Sequence, residues 1–352
     1  MAVQLGPLVA PVKRQIEINE LSGNVIGIDA YNTIYQFLSI IRQPDGTPLT
    51  DSHGNVTSHL SGLFYRTINL IENGITPIFM FDGIPPILKR RTLESRMNRR
   101  EEAKAKWEEA RAKGNIEEAR IHAMASTRIN KEIVNESKEL LRLMGIPYVQ
   151  APSEGEAQAA RMNARGQIDA AASQDYDLFL FGSNVVVRNL TITGRRKLPG
   201  KNIYVNVSVE RIILEELLKS LDLSRKQLIW VGMLLGTDFN EGIRGVGPKT
   251  ALRVVRGRNS VTEVFDYVKE RYGKETDADP REVEALFENP QAEDISSESM
   301  DAMLQGQRPD PSAIIKFLCE RHDFSQERIE KFANKLAELK GHRGQKGINN
   351  WL

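Results

Sequence analysis

The sequence predicts an α/β fold, a mostly parallel central sheet flanked by helices, and three observations carry that prediction. Short apolar runs alternate with helix-like stretches, acids stand at or just beyond the ends of four of those runs, and 352 residues suffice to bury a sizeable core. Ligands of open α/β sheets bind outside the carboxyl ends of the strands, so acids placed there converge although they lie far apart in sequence.

The elements follow in order. Val25–Ile28 reads as a strand ending at Asp29, with a helix after it. Pro77–Phe81 reads as a second strand, ending at Asp82. From Leu88 to Met144 the pattern is long, charged and helical, broken at Gly114-Asn115, which predicts two helices flanking a break and has the look of an insertion. Pro147–Val149, Ala170–Ala172 and Leu178–Phe181 are the remaining strand candidates. Beyond Leu228 the chain reads as mostly helical and contains the glycine-rich turn Gly242-Ile-Arg-Gly-Val-Gly-Pro-Lys249. Pro280, Pro290, Pro309 and Pro311 cut the acidic stretch into short helices and loops, and the residues from Gly341 onward read as a flexible tail. No internal repeat is present.

Composition narrows the function classes. Cys319 is the single cysteine, so there is no internal disulfide, and no cysteine or histidine cluster has zinc spacing. No apolar run approaches the ~20 residues that span a bilayer. A soluble intracellular protein without a membrane partner is expected. The 48 basic and 47 acidic residues leave a net charge of +1, but they are segregated. Lys89 to Lys106 holds eight basic residues against three acids, and Glu275 to Glu298 holds nine acids against one base. Such a distribution attracts a polyanion locally while the whole chain stays near neutral.

Seven carboxylates carry the chemistry: Asp29, Asp82, Glu154 and Glu156 in Pro-Ser-Glu-Gly-Glu-Ala, Asp175 and Asp177 in Ser-Gln-Asp-Tyr-Asp, and Asp238 in Leu-Gly-Thr-Asp-Phe. One aspartate after a strand is an ordinary helix cap. Seven acids without basic partners repel one another, and hard divalent cations with oxygen ligands are the usual remedy. Magnesium, with manganese as a substitute, suits them, and two ions ~3.5–4 Å apart would activate a water and stabilise the attacking and leaving oxygens of a phosphodiester. An extended backbone would point Asp175 and Asp177 to one side.

These motifs, in order from about residue 24 to residue 255, resemble a flap endonuclease of the archaeal and eukaryotic replication type, within the structure-specific 5′ nucleases. The resemblance implies that the seven acids are metal-site residues, and that Lys89 and Arg96 engage the scissile phosphate. It implies a helical arch over residues 85–140, inserted between nuclease regions 1–84 and 141–258, which admits a single-stranded 5′ flap. Tyr35 matches an aromatic that stacks on a base; the alternative is an ordinary half-buried tyrosine. Gly245, Gly247 and Lys249 match a helix-two-turn-helix element at about 230–256 that grips duplex backbone, often with a monovalent cation in the turn. Residues 259–340 complete a single domain. Gln345, Ile348, Trp351 and Leu352 resemble the peptide that docks on a sliding clamp of the proliferating cell nuclear antigen type, with Leu352 in place of the usual second aromatic. Ala2 stands where many relatives carry glycine.

The implied activity is 5′-flap endonuclease and 5′-3′ exonuclease cleavage of flapped and branched DNA in replication, including Okazaki fragment maturation, and in repair. The implied compartment is the cytoplasm or nucleoid of an archaeon, or the nucleus of a eukaryote. Two rivals stand beside it. An inert DNA-junction binder would have lost one or more metal acids, and an RNA-cleaving nuclease of related fold would lack the arch and glycine turn.

Overall fold

The computed structural model describes residues 3–43, 45–191, 195–197 and 204–346. The chain enters through α1 (Gly6–Val9) and β1 (Arg14–Ile16), then runs through β2 (Val25–Asp29), α2 (Ala30–Ile40), α3 (Ser58–Glu72) and β3 (Thr76–Phe81). Three helices follow, α4 (Arg90–Ala112), α5 (Ile116–Ala125) and α6 (Lys131–Leu143). Next come β4 (Tyr148–Gln150), α7 (Gly155–Ala164), β5 (Ala170–Ala172), α8 (Asp177–Leu180) and β6 (Val185–Arg188). After the two-stranded ribbon of β7 (Arg195–Lys197) and β8 (Tyr204–Asn206), strand β9 (Val209–Ile213) rejoins the main sheet. The remainder is helical: α9 (Leu214–Leu221), α10 (Arg225–Leu235), α11 (Pro248–Val255), α12 (Val261–Tyr272), α13 (Pro280–Glu288), α14 (Ser297–Gln305), α15 (Pro311–Ile315) and α16 (Gln326–Lys346).

The seven-stranded sheet has the order β1-β9-β6-β5-β2-β3-β4, with β6 through β4 mutually parallel and β9 antiparallel to both its neighbours. The chain winds outward from β2 to β3 and β4, then returns to the other side of β2 for β5 and β6. That reversal opens a crevice at the carboxyl ends of β2 and β5. Strand residues alternate between two cores: Ile78, Met80, Ala171 and Val186 face α7, α8 and α10, while Ile26, Ile28, Phe79, Phe81 and Val187 face α2, α3 and α6. With both faces covered, the central strands are apolar throughout, which is why they stand out in the sequence. Among the described residues, no helix is long and apolar enough to cross a membrane.

Three expectations are corrected. Leu178–Phe181 is not a strand; Asp177–Leu180 forms α8. A short apolar run does not distinguish a strand from a buried helical turn by periodicity alone. The charged insertion holds three helices, because Asn130 caps a further one by accepting from the Ile133 amide at 2.8 Å. Strands β1, β6, β7, β8 and β9 were not anticipated. The backbone is helical to Lys346, and the rest of the expected tail lies outside the described residues.

Candidate active site

The carboxyl ends of the parallel strands deliver the acids. Asp29 ends β2 and caps α2, its Oδ1 accepting the Asn32 N–H at 3.0 Å. Burial, with Asp82 and Asp175 nearby, pushes its carboxyl up to about 8. Asp82 follows β3 and accepts the Gly155 N–H at 2.7 Å, which draws the start of α7 towards it. Its loop is held by Gly83 N–H to Ser153 O at 2.6 Å, and a Cβ at Gly83 would lie 2.2 Å from the Ala151 carbonyl. Only glycine fits that approach.

Glu154 precedes α7 and Glu156 lies in its first turn. Burial raises both carboxyls, and Asp29, Asp175 and Asp177 push Glu156 further. Beyond β5 the backbone bends, so Asp175 and Asp177 meet the site through a turn and the first residue of α8, not along an extended strand. Asp177 accepts the Val3 N–H at 3.0 Å, and burial, then Asp175 and Asp238, push it to about 7. Asp175 is raised by burial and by Asp238.

Asp238 follows α10 and behaves oppositely. Burial alone would raise it, but Lys89 and Arg96 hold it down at about 2. Arg96 donates to its Oδ1 at 2.5 Å, and the Lys89 ammonium lies 3.3 Å from Oδ2. Lys89, 8% exposed, also donates to Glu154. Its burial would lower the ammonium's value, yet Glu154, Asp238 and Asp82 raise it. Lys89 closes a short turn, Ile87–Lys89, ahead of α4, while Arg96 lies within α4.

Nine residues singled out in the sequence thus share one crevice. An all-oxygen carboxylate set, buried among like charges, fits a hard divalent cation better than any softer metal. Among the described residues no three of these side chains converge closely enough to enclose an ion.

Tyr35 lies apart, on α2, with the Arg100 guanidinium 5.9 Å from its ring centroid. Gly245, Gly247 and Lys249 form the turn before α11. Gly245 takes φ +88°, which requires glycine, while Gly247 has an ordinary φ of −93° and is the cap residue ahead of Pro248. Of the clamp-peptide residues, Gln345 lies in α16, and Ile348, Trp351 and Leu352 fall outside the described residues.

Two polar residues escaped the sequence reading. Ser173 donates to Glu156 at 2.6 Å, lies 3.4 Å from Asp29 and accepts the Asp175 N–H at 3.2 Å, so one hydroxyl ties three of the acids. Asn32 donates its amide to Asp175 at 3.4 Å. Both stand next to the strand-end acids, at β5 plus one and at the third residue of α2, and that adjacency is the signal that could have found them.

Known proteins resemble this chain over its whole length. Residues 1–103 match the XPG N-terminal domain and residues 145–238 the XPG I-region. The chain is 51% identical to flap endonuclease 1 of Thermococcus onnurineus, covering 100% of this chain and 99% of the relative. It is 50% identical to flap endonuclease 1 of Pyrococcus furiosus, with the same coverage. The solved flap endonuclease-1 from Methanococcus jannaschii superimposes with a TM-score of 0.75 at 39% identity, covering 97% of this chain and 99% of that one. The solved catalytic core of Rad2 in complex with DNA shares the fold, with a TM-score of 0.68 at 24% identity. The chain belongs to the flap endonuclease 1 family and is a structure-specific nuclease that hydrolyses phosphodiester bonds.

Proposed function

We propose that this nuclease cuts DNA bearing a 5′ flap or branch, with magnesium or manganese held by Asp29, Asp82, Glu154, Glu156, Asp175, Asp177 and Asp238. The observation that carries the reading is the meeting of these acids with Lys89 and Arg96 in the crevice where the strand order reverses. Divalent ions held there supply Lewis acidity, which polarises a phosphodiester and eases deprotonation of water. Lys89 and Arg96 place positive charge where negative charge develops in the transition state. Ser173 and the Asn32 amide fix the orientation of Glu156 and Asp175. The buried floor beneath the acids limits water and strengthens each of these interactions.

The arch helices α4 and α5 fall in the chain between Asp82 and Glu154, α4 sets Arg96 against Asp238, and their basic residues suit a single strand. The turn at Gly245–Lys249 presents a helix N-terminus and an exposed cation to duplex phosphates, reading shape more than sequence; a monovalent cation belongs in that turn. Residues 345–352 serve as the sliding-clamp peptide. Retention of all seven acids argues against an inert junction binder. The test is cleavage with magnesium of 5′-flap DNA, plain duplex and single-stranded RNA: preferential cutting of the flap is expected, and equal or preferential cutting of RNA would overturn the substrate assignment.

A further inference from the structure

The segment between α12 and α13 makes contacts that the chemistry above leaves unused. Asp277 accepts the Glu241 N–H at 2.7 Å with Oδ1, while its Oδ2 lies 3.4 Å from Nη1 of Arg91. Three residues earlier, Lys274 donates to the Arg244 carbonyl. Glu241 and Arg244 belong to the loop that leads from Asp238 into the turn before α11. Arg91 is the second residue of α4, two residues after Lys89 and five before Arg96. One short segment therefore holds the duplex-facing turn at two points and reaches the start of the arch helix, which carries Arg96 and directly follows Lys89.

We propose that Asp277 is a positioning residue that couples occupancy of the turn to the placement of Lys89 and Arg96 for cleavage. The inference rests on the reading of the turn as a duplex-binding element. Phosphates seated on Arg244 to Lys249 fix the loop, the Glu241 amide fixes Asp277, and Asp277 holds Arg91 so that α4 starts in the register that places Lys89 between Glu154 and Asp238. Asp238 supplies a second tie, since it leads the same loop and contacts Lys89 and Arg96 directly. Asp277 touches neither the acids nor the proposed scissile phosphate; it acts through Arg91.

The test uses the full-length chain and 5′-flap DNA whose flap-bearing duplex arm is either long enough to reach the turn or too short to do so. Single-turnover rate at saturation with magnesium, and affinity by anisotropy without it, are measured for wild type, Asp277→Asn and Arg91→Ala. Asp277→Asn keeps an oxygen for the Glu241 amide and removes the charge, so folding is retained. With the long arm, Asp277→Asn lowers the single-turnover rate about two- to five-fold, the range expected of one solvent-exposed ion pair, with affinity unchanged. With the short arm, wild type and Asp277→Asn cut alike. Arg91→Ala reproduces the long-arm loss, since it removes the other half of the same pair. An unchanged long-arm rate, an equal loss on both arms, or a loss carried wholly by affinity overturns the coupling. A wild-type rate and affinity indifferent to arm length overturn the duplex reading of the turn first, and the coupling with it.

Discussion

At the residue scale, the site separates two kinds of acid. Asp238 is held ionised by Lys89 and Arg96, whereas Asp29, Glu156, Asp175 and Asp177 are raised by burial and by one another. Folding has placed carboxylates where their charge is costly, and a divalent cation offsets that cost. Magnesium is therefore expected to stabilise the fold with the logarithm of its concentration above its dissociation constant, by about 2.7 kcal/mol at a hundred times that constant, and to raise the melting temperature accordingly. Calorimetry with a magnesium titration checks this, and Asp175→Asn should flatten the response. The same substitution should lower cleavage by at least about 10–100-fold while flap binding persists, because it removes metal-site charge and no duplex contact. A wild-type rate at saturating DNA would remove Asp175 from the metal site. Lys89→Ala should depress the single-turnover rate by more than it weakens affinity, since its charge is used at the reacting phosphate.

At the element scale, the loops that follow the strands matter more than the strands. The Asp82 loop closes onto the Pro152–Ser153 backbone, and a methyl group at Gly83 would strike the Ala151 and Pro152 carbonyls. Gly83→Ala should cost about 1–3 kcal/mol, visible as a lowered melting temperature, because two backbones must part. On the opposite face of the sheet, His59 of α3 is fully buried and hydrogen-bonds Glu136 of α6 at 3.1 Å. Burial lowers its imidazole from the ordinary 6.5, with Glu136 partly opposing. A group whose folded value is depressed contributes fully above the unfolded value and loses that contribution as pH falls through the window below it. The melting temperature should therefore fall as the pH drops below about 6.5, and His59→Gln should show a shallower fall in the same window. An identical slope in both proteins would place the pH sensitivity elsewhere.

At the scale of the whole molecule, the acidic crevice, the inserted helices and the glycine turn before α11 are spread along more than 200 residues and meet around Asp238. Duplex grip and chemistry can therefore be separated by mutation. Lys249→Ala should weaken binding to the duplex portion and reduce the salt slope by roughly one phosphate contact. Affinity that ignores this change across salt concentrations would remove Lys249 from the DNA interface. Deleting residues 345–352 should abolish binding and stimulation by the cognate clamp while intrinsic flap cleavage is retained; equal clamp affinity for the full-length and shortened chains would eliminate the peptide.

What the sequence by itself determined is what is encoded within a few neighbouring residues. The apolar strands β2, β3 and β5 are legible because both their faces are buried, and Asp29 and Asp82 are legible because they end such strands. The Gly114-Asn115 break and the Gly242–Lys249 turn announce themselves through glycine and proline chemistry. Strand β9 is not legible, because its Glu210 and Arg211 look solvent-facing until Lys13, just ahead of β1, and Arg188 of β6 are seen to pair with Glu210. The helical state of Asp177–Leu180 was decided by tertiary packing, since four apolar or acidic residues fit either structure. The grip of Arg96 on Asp238 joins residues 142 apart, and that of Asp277 on Arg91 joins residues 186 apart. Local propensity reaches only a turn or two along the chain, so contacts of that span, and the charge states they impose, are set by the fold alone.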